Sequence, residues 1–158
     1  MIDMSTKSTD LDILLAYGRV KLKFSELAAE VFKPSGLGTL QAGIVRRLGE
    51  LGTSSLAELA RLACVDPAAI GRANDTLMKK GWVLRVDHPT DRRRWQVSLS
   101  PKGKKLLATV QAEYEKIAAQ FSGPLNAKEK TTLLALLSKV ESGLDKEALE
   151  RKNHEKSS

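Results

Sequence analysis

Asp91 is followed directly by Arg92, Arg93 and Arg94. A carboxylate can hold a neighbouring guanidinium through paired hydrogen bonds. Three guanidinium groups in a row on a polar stretch suit contact with a polyanion better than bond-making chemistry. The surrounding residues carry the same sign. Residues 72–105 contain Arg72, Lys79, Lys80, Arg85, the three consecutive arginines, Lys102, Lys104 and Lys105, against only Asp75, Asp87 and Asp91. Residues 1–71 and residues 106–158 each hold eight basic and eight acidic side chains, so the whole net charge of +7 lies in this one segment. A localised basic stretch points to a nucleic-acid partner more sharply than a diffuse basic composition does.

Other chemistries lack their residues. There is one cysteine, Cys64, which excludes a disulfide within the chain and a cysteine-based zinc site. His88 and His154 are too far apart in sequence to read as a metal pair. No Gly-rich phosphate loop and no paired histidine and carboxylate constellation is present, so no enzyme and no cofactor are expected. No run approaches the ~20 apolar residues that span a bilayer. Met1 to Asp10 is polar and lacks the apolar core of a secretory signal. The expectation is a cytoplasmic protein with no membrane partner.

Elements that would position the basic segment follow from periodicity. Ile13, Tyr17, Val20, Phe24, Leu27, Ala28 and Val31 form one apolar helical face, with Thr9 and Asp12 as a capping box and Pro34 and Gly36 at its end. A second helix is predicted from Leu40 to Leu51, capped by Thr39 and closed by Gly52. Ser55 and Glu58 form a capping box for a short third helix, and Asp66-Pro67 starts a fourth that runs to about Lys80 before Gly81. Trp82 to Asp87 and Trp95 to Leu99 then alternate with period two, which reads as a hairpin with a long polar loop. Ser100-Pro101 opens a fifth helix carrying Leu106, Val110, Tyr114 and Ile117 on one face. Asn126 and Glu129 cap a sixth, carrying Leu133, Leu137, Val140 and Leu144.

A helix-turn-helix followed at once by a hairpin is a winged helix. The predicted fold is mainly α with a small β-hairpin wing: a winged helix-turn-helix flanked by long dimerisation helices. Its parts are an N-terminal dimerisation helix in 1–35, the winged helix-turn-helix in 36–100, C-terminal dimerisation helices in 101–145 and a fraying polar tail in 146–158. On the fourth helix Ile70, Ala73 and Leu77 share the inward face, which leaves Ala68, Ala69, Arg72, Asp75 and Thr76 outward.

The wing sequence resembles the MarR family of bacterial transcription regulators. The likeness rests on Asp91-x-Arg93, then five residues, then Leu99-Ser100-x-x-Gly103, with Ser where the family usually has Thr. Lys79-Lys80-Gly81-Trp82-Val83 is also family-like, and the resemblance covers about residues 11–145. It implies a homodimer on palindromic operator DNA, acting as a repressor and often released by a small ligand or by oxidation. It also implies that the fourth helix enters the major groove and that Arg93 is the wing arginine, paired with Asp91. Family members often carry Ser or Thr where this chain has Ala68, Ala69 and Gly71.

On this reading Arg72 either reads a guanine edge bidentately or contacts a phosphate. Ala68, Ala69 and Thr76 line the approach to the bases. Arg92, Arg93 and Arg94 reach a minor groove, where narrow A·T tracts attract arginine. Lys79, Lys80, Arg85, Lys102, Lys104 and Lys105 are phosphate contacts. Trp82 and Trp95 are cross-strand core residues, Cys64 is a small buried turn residue rather than a redox sensor, and His88 is a loop residue. By the resemblance, an effector pocket lies between the dimer helices and the winged helix; Tyr17, Arg46, Arg47 and Trp82 are candidates for its border, though no motif pins them there. The competing reading is a winged-helix module that binds structured RNA or a protein partner.

Overall fold

The computed structural model of the protein describes residues 4–91 and 95–156. Six helices and three short strands follow one another: α1 (Met4–Phe32), a 3₁₀ turn (Lys33–Ser35), α2 (Thr39–Leu51), β1 (Thr53–Ser54), α3 (Leu56–Ala63), α4 (Pro67–Lys79), β2 (Val83–Asp87), β3 (Trp95–Leu99), α5 (Pro101–Ser122) and α6 (Ala127–Lys156). The chain forms two units, Met1–Ile117 and Ala118–Ser158, with the boundary inside α5. This is the predicted mainly helical fold with a small antiparallel wing. No helix among the described residues is long and apolar enough to cross a membrane.

Most helix boundaries follow local signals. Ser55 accepts the Glu58 N–H at the start of α3, and Asp66 accepts the Ala69 N–H at the start of α4 behind Pro67. Each satisfies a donor that the first turn leaves without a helical partner. At the end of α4, Trp82 N–H reaches Leu77 O and Gly81 N–H reaches Met78 O, with Gly81 at φ 71°. That double bond terminates the helix in the left-handed geometry glycine tolerates. Asn126 and Glu129 cap α6 reciprocally, each side chain accepting the other's backbone N–H.

Five local expectations need correction. α1 begins at Met4, so Thr9 and Asp12 lie within it and not at its start. α2 takes Thr39 as its first helical residue. Gly38 is its N-cap, and Gln41 Oε1 accepts the Gly38 N–H. The Glu58 carboxylate turns to the Ser54 hydroxyl instead of closing the capping box. The sheet has a third strand, in the order β1-β3-β2, with Ser54 opposite Val97. Last, α6 continues through Lys156, past the expected boundary at 145. Residues 145–156 contain strong helix formers and neither Gly nor Pro, so propensity carries the helix on.

The core of the first unit joins its five α-helices and the β2–β3 hairpin. Ala28 and Phe32 of α1 pack with Val45 and Leu48 of α2, Leu59 of α3, Ile70 and Leu77 of α4, Val83, Val97 and Leu99 of the sheet, and Val110 of α5. Fully burying each of the larger side chains contributes roughly 1.5–3 kcal/mol. Other apolar residues remain uncovered. On α1, Leu14, Tyr17 and Val20 are exposed, and on α6 so are Leu134, Leu136, Leu137, Val140 and Leu144.

Candidate nucleic-acid interface

α4 is held by its inner face. Ile70 and Leu77 are fully buried, Ala73 nearly so, and Asn74 joins them with its amide donating to Met78 Sδ at 3.3 Å. A helix fixed this way presents its opposite face without freedom to roll. On that face Ala68 and Arg72 are exposed, Ala69 is half-buried, and Lys79 is exposed at the last turn. Arg72 and Lys79 have no side-chain partner among the described residues, so both are available to an outside anion. Thr76 is half-buried and its hydroxyl donates to Arg72 O at 3.1 Å, which leaves the oxygen able to accept.

The wing is a five-pair ladder from Val83↔Leu99 to Asp87↔Trp95. Opposed residues share a face, so Val83, Arg85 and Asp87 lie on the side of Leu99, Val97 and Trp95. Leu84 and Val86 therefore turn outward. Trp82 lies beyond the last pair and is not opposite Trp95. Both tryptophans are half-buried and pack against the core as expected, and each also carries cations over its ring. Arg85 stands over Trp95 at 4.8 Å, and Lys80 and Lys102 stand over Trp82 at 4.7 and 5.7 Å. Asp91 is half-buried at the end of the hairpin loop, and His88 sits in that loop with Nδ1 near Thr90. Arg92, Arg93 and Arg94 lie outside the described residues.

Two of the lysines expected on phosphates are engaged internally. Lys80 Nζ donates to Gly36 O at 2.9 Å, and Lys102 Nζ donates to Lys80 O at 2.9 Å. Cys64 is also not where it was expected. It caps α3 in the left-handed conformation, φ 51°, and its side chain is exposed rather than buried. The tight turn between α3 and α4 needs that conformation, and it aims the thiol outward.

A cavity of about 540 Å³ opens behind α4. Its walls include Lys21 and Phe24 of α1, Arg46 and Arg47 of α2, Ile70 of α4 and Tyr114 of α5. Of the four candidates, Arg46 and Arg47 line this cavity, whereas Tyr17 and Trp82 do not. Trp82 is drawn away under Lys80 and Lys102. Glu50 pairs with both arginines, with Arg47 at 3.3 Å. The Arg46 guanidinium lies 5.3 Å from the centre of the Tyr114 ring, and Phe32 meets that ring edge-on. Burial pushes the Tyr114 phenol above its ordinary value, and the Arg46 charge and hydrogen bond pull partly back. Tyr114 reads in sequence only as one more residue of an apolar helix face.

A short helix clamped by its inner face, a tight turn before it and a basic hairpin after it define a winged helix-turn-helix protein. Residues 40–95 match the MarR family. The chain is 30% identical over 116 residues to the HTH-type transcriptional regulator YhbI of Bacillus subtilis, covering 73% of each protein. It superposes on a probable transcriptional regulator from Pseudomonas aeruginosa with a TM-score of 0.75 and 32% identity, covering 84% of this chain and 98% of that one. It also superposes on a cysteine-to-serine mutant of Escherichia coli MarR complexed with operator DNA, with a TM-score of 0.74 and 27% identity, covering 87% of this chain and 98% of that one. The chain belongs to the MarR family, whose members are transcriptional regulators and not enzymes.

Proposed function

We propose that this protein is a repressor that binds palindromic operator DNA as a homodimer. The observation that carries the reading is α4 itself: its inner residues are locked in the core while Arg72 and Lys79 stand unpartnered on the surface. Ala68, Ala69, Arg72 and Thr76 face the bases in the major groove. Small alanines allow close approach and can touch thymine methyls, and an arginine can bond guanine O6 and N7 together. Lys79 contacts phosphate. Arg92, Arg93 and Arg94, oriented in part by Asp91, enter the minor groove beside it.

The homodimer reading is supported by the uncovered apolar faces of α1 and α6. Segments 1–35 and 101–145 supply the dimerisation helices around the DNA-binding part, 36–100. Two-fold symmetry then sets the two α4 helices about one DNA turn apart, ~34–36 Å. The E. coli neighbour bound to operator DNA supports a duplex partner. Lys21, Arg46 and Arg47 around the cavity suit a small organic anion as the releasing effector.

The test is competition at fixed salt between the protein's own promoter duplex, a scrambled duplex and RNA hairpins. Preference for the promoter duplex is expected. Equal affinity for all three would sink the repressor reading in favour of a general polyanion or RNA binder. With six to eight phosphates neutralised per dimer, the slope of log K against log salt is about −5 to −7.

A further inference from the structure

We propose that Lys80 is a positioning residue that locks the C-terminal end of α4 to the end of α1. The inference rests on the reading of α4 as the DNA-recognition helix, and it assigns Lys80 a role distinct from that of its neighbour Lys79. Lys79 is exposed without a side-chain partner among the described residues. Lys80 Nζ instead reaches across the fold, 44 residues back in sequence, to donate to Gly36 O at 2.9 Å, and it lies 4.7 Å from the centre of the Trp82 ring.

Both ends of this link are rigid. Gly36 closes the turn after α1 with φ 70°, its N–H bonded to Lys33 O. The turn is anchored by fully buried Phe32, whose carbonyl accepts the Ser35 hydroxyl at 2.7 Å, and by buried Leu37. At the other end, Lys80 is the C-cap of α4. Its carbonyl accepts Lys102 Nζ, and the next carbonyl, of Gly81, accepts the buried Ser100 hydroxyl at 2.6 Å. The α4 terminus is therefore tied both to α1 and to the start of α5.

An ammonium carries three donors on a flexible stem. Here one donor is used on a carbonyl, and the charge is stabilised over an indole face, where a cation is attracted by the ring quadrupole. Swinging Lys80 out to a phosphate beyond reach of Gly36 O would break both contacts. The link ties the helix read as DNA-reading to the turn that ends α1, so it fixes how the end of α4 sits against that turn.

The test compares Lys80→Met, Lys80→Arg and Lys79→Met. Hydrogen exchange of the DNA-free protein reads the link directly. Lys80→Met should speed exchange in segments 33–38 and 79–84 by about fivefold, the scale of one lost hydrogen bond. Lys80→Arg, which can both donate and stack, should restore it, and Lys79→Met should leave segment 33–38 unchanged. DNA binding is read on duplexes that the wild type retains from a random-sequence pool. There Lys80→Met should weaken binding about tenfold with an unchanged salt slope, whereas Lys79→Met should flatten the slope by about two, one phosphate per subunit. Unchanged exchange in segment 33–38 overturns the lock. A slope flattened by about two in Lys80→Met also overturns the proposal, because it makes Lys80 a phosphate contact, and so does unaltered affinity. If the wild type retains no duplex, the DNA-binding reading fails and the exchange experiment alone decides the link.

Discussion

Gly103 lies so close to Trp82 that a Cβ on the glycine would sit 1.9 Å from the Trp82 carbonyl oxygen. That approach lets the first turn of α5 press on the strand entry. Ser100 N–H donates to the same carbonyl at 3.0 Å, while the Ser100 hydroxyl donates to Gly81 O and accepts the Gly103 N–H at 2.9 Å. Ser100 and Gly103 thus act as one joint between the end of α4, the wing and α5. In sequence both belong to the Leu99-Ser100-x-x-Gly103 motif, and their role is to pack and hydrogen-bond this joint.

Gly103→Ala is expected to destabilise the protein by about 3 kcal/mol or more. The clash is with backbone, and overpacking alone costs roughly 1–3 kcal/mol. Ser100→Ala should cost about 1–3 kcal/mol, because the part-buried Gly81 carbonyl and the buried Gly103 N–H both lose their partner. Denaturant midpoints check both. A Gly103→Ala protein as stable as the wild type would show that α5 can shift outward without cost.

Arg72 and Arg93 should separate by the kind of loss they produce. Arg72→Ala is expected to relax base preference at one position per half-site, costing roughly 1–3 kcal/mol there. An unaltered preference profile would make Arg72 a phosphate contact. Arg93→Ala should weaken operator binding at least tenfold, ~1.4 kcal/mol. Unchanged affinity at physiological salt would remove the wing from the mechanism.

For the proposed homodimer, Val20→Glu on α1 and Leu137→Glu on α6 should each shift the protein toward monomer in sedimentation. Both side chains are about half exposed or more in the single chain, and large apolar surfaces of this kind are covered in obligate dimers. A charge buried at such an interface costs several kcal/mol. Dimers that persist at the wild-type concentration range would place the interface elsewhere.

These features were unequally legible in sequence. α3 and α4 were readable because Ser55, Asp66, Pro67 and Gly81 are strong local signals, and the inward set Ile70, Ala73 and Leu77 followed from helical spacing. β1 was not, since two residues, Thr53 and Ser54, carry no period and become a strand only by pairing with β3. Asn74 was missed because nothing local announces that an amide will be buried. Lys80 and Lys102 read in sequence as phosphate contacts. Their partners, Gly36 O and Lys80 O, are backbone atoms that only the tertiary fold brings near. The α2 cations at the cavity were anticipated. Tyr114 was not, because its part depends on Arg46 arriving from another helix.

Tyr114 gives a pH dependence with a definite sign. Burial raises the phenol above its ordinary value of 10.0, so the folded state favours the neutral form. A group whose folded pKa is raised contributes stability that is complete below the unfolded value and is lost as pH rises through the folded one. The protein should therefore lose stability at alkaline pH above about 10, and Tyr114→Phe, which cannot ionise, should reduce that loss. Arg46 opposes the shift by charge and by hydrogen bond, so Arg46→Gln should move the Tyr114 titration still higher, as read from tyrosinate absorbance. An unchanged titration in Arg46→Gln would mean that the guanidinium leaves the ring in solution. The same variant tests the cavity: a small organic anion held by Arg46 should protect Tyr114 less once that charge is gone.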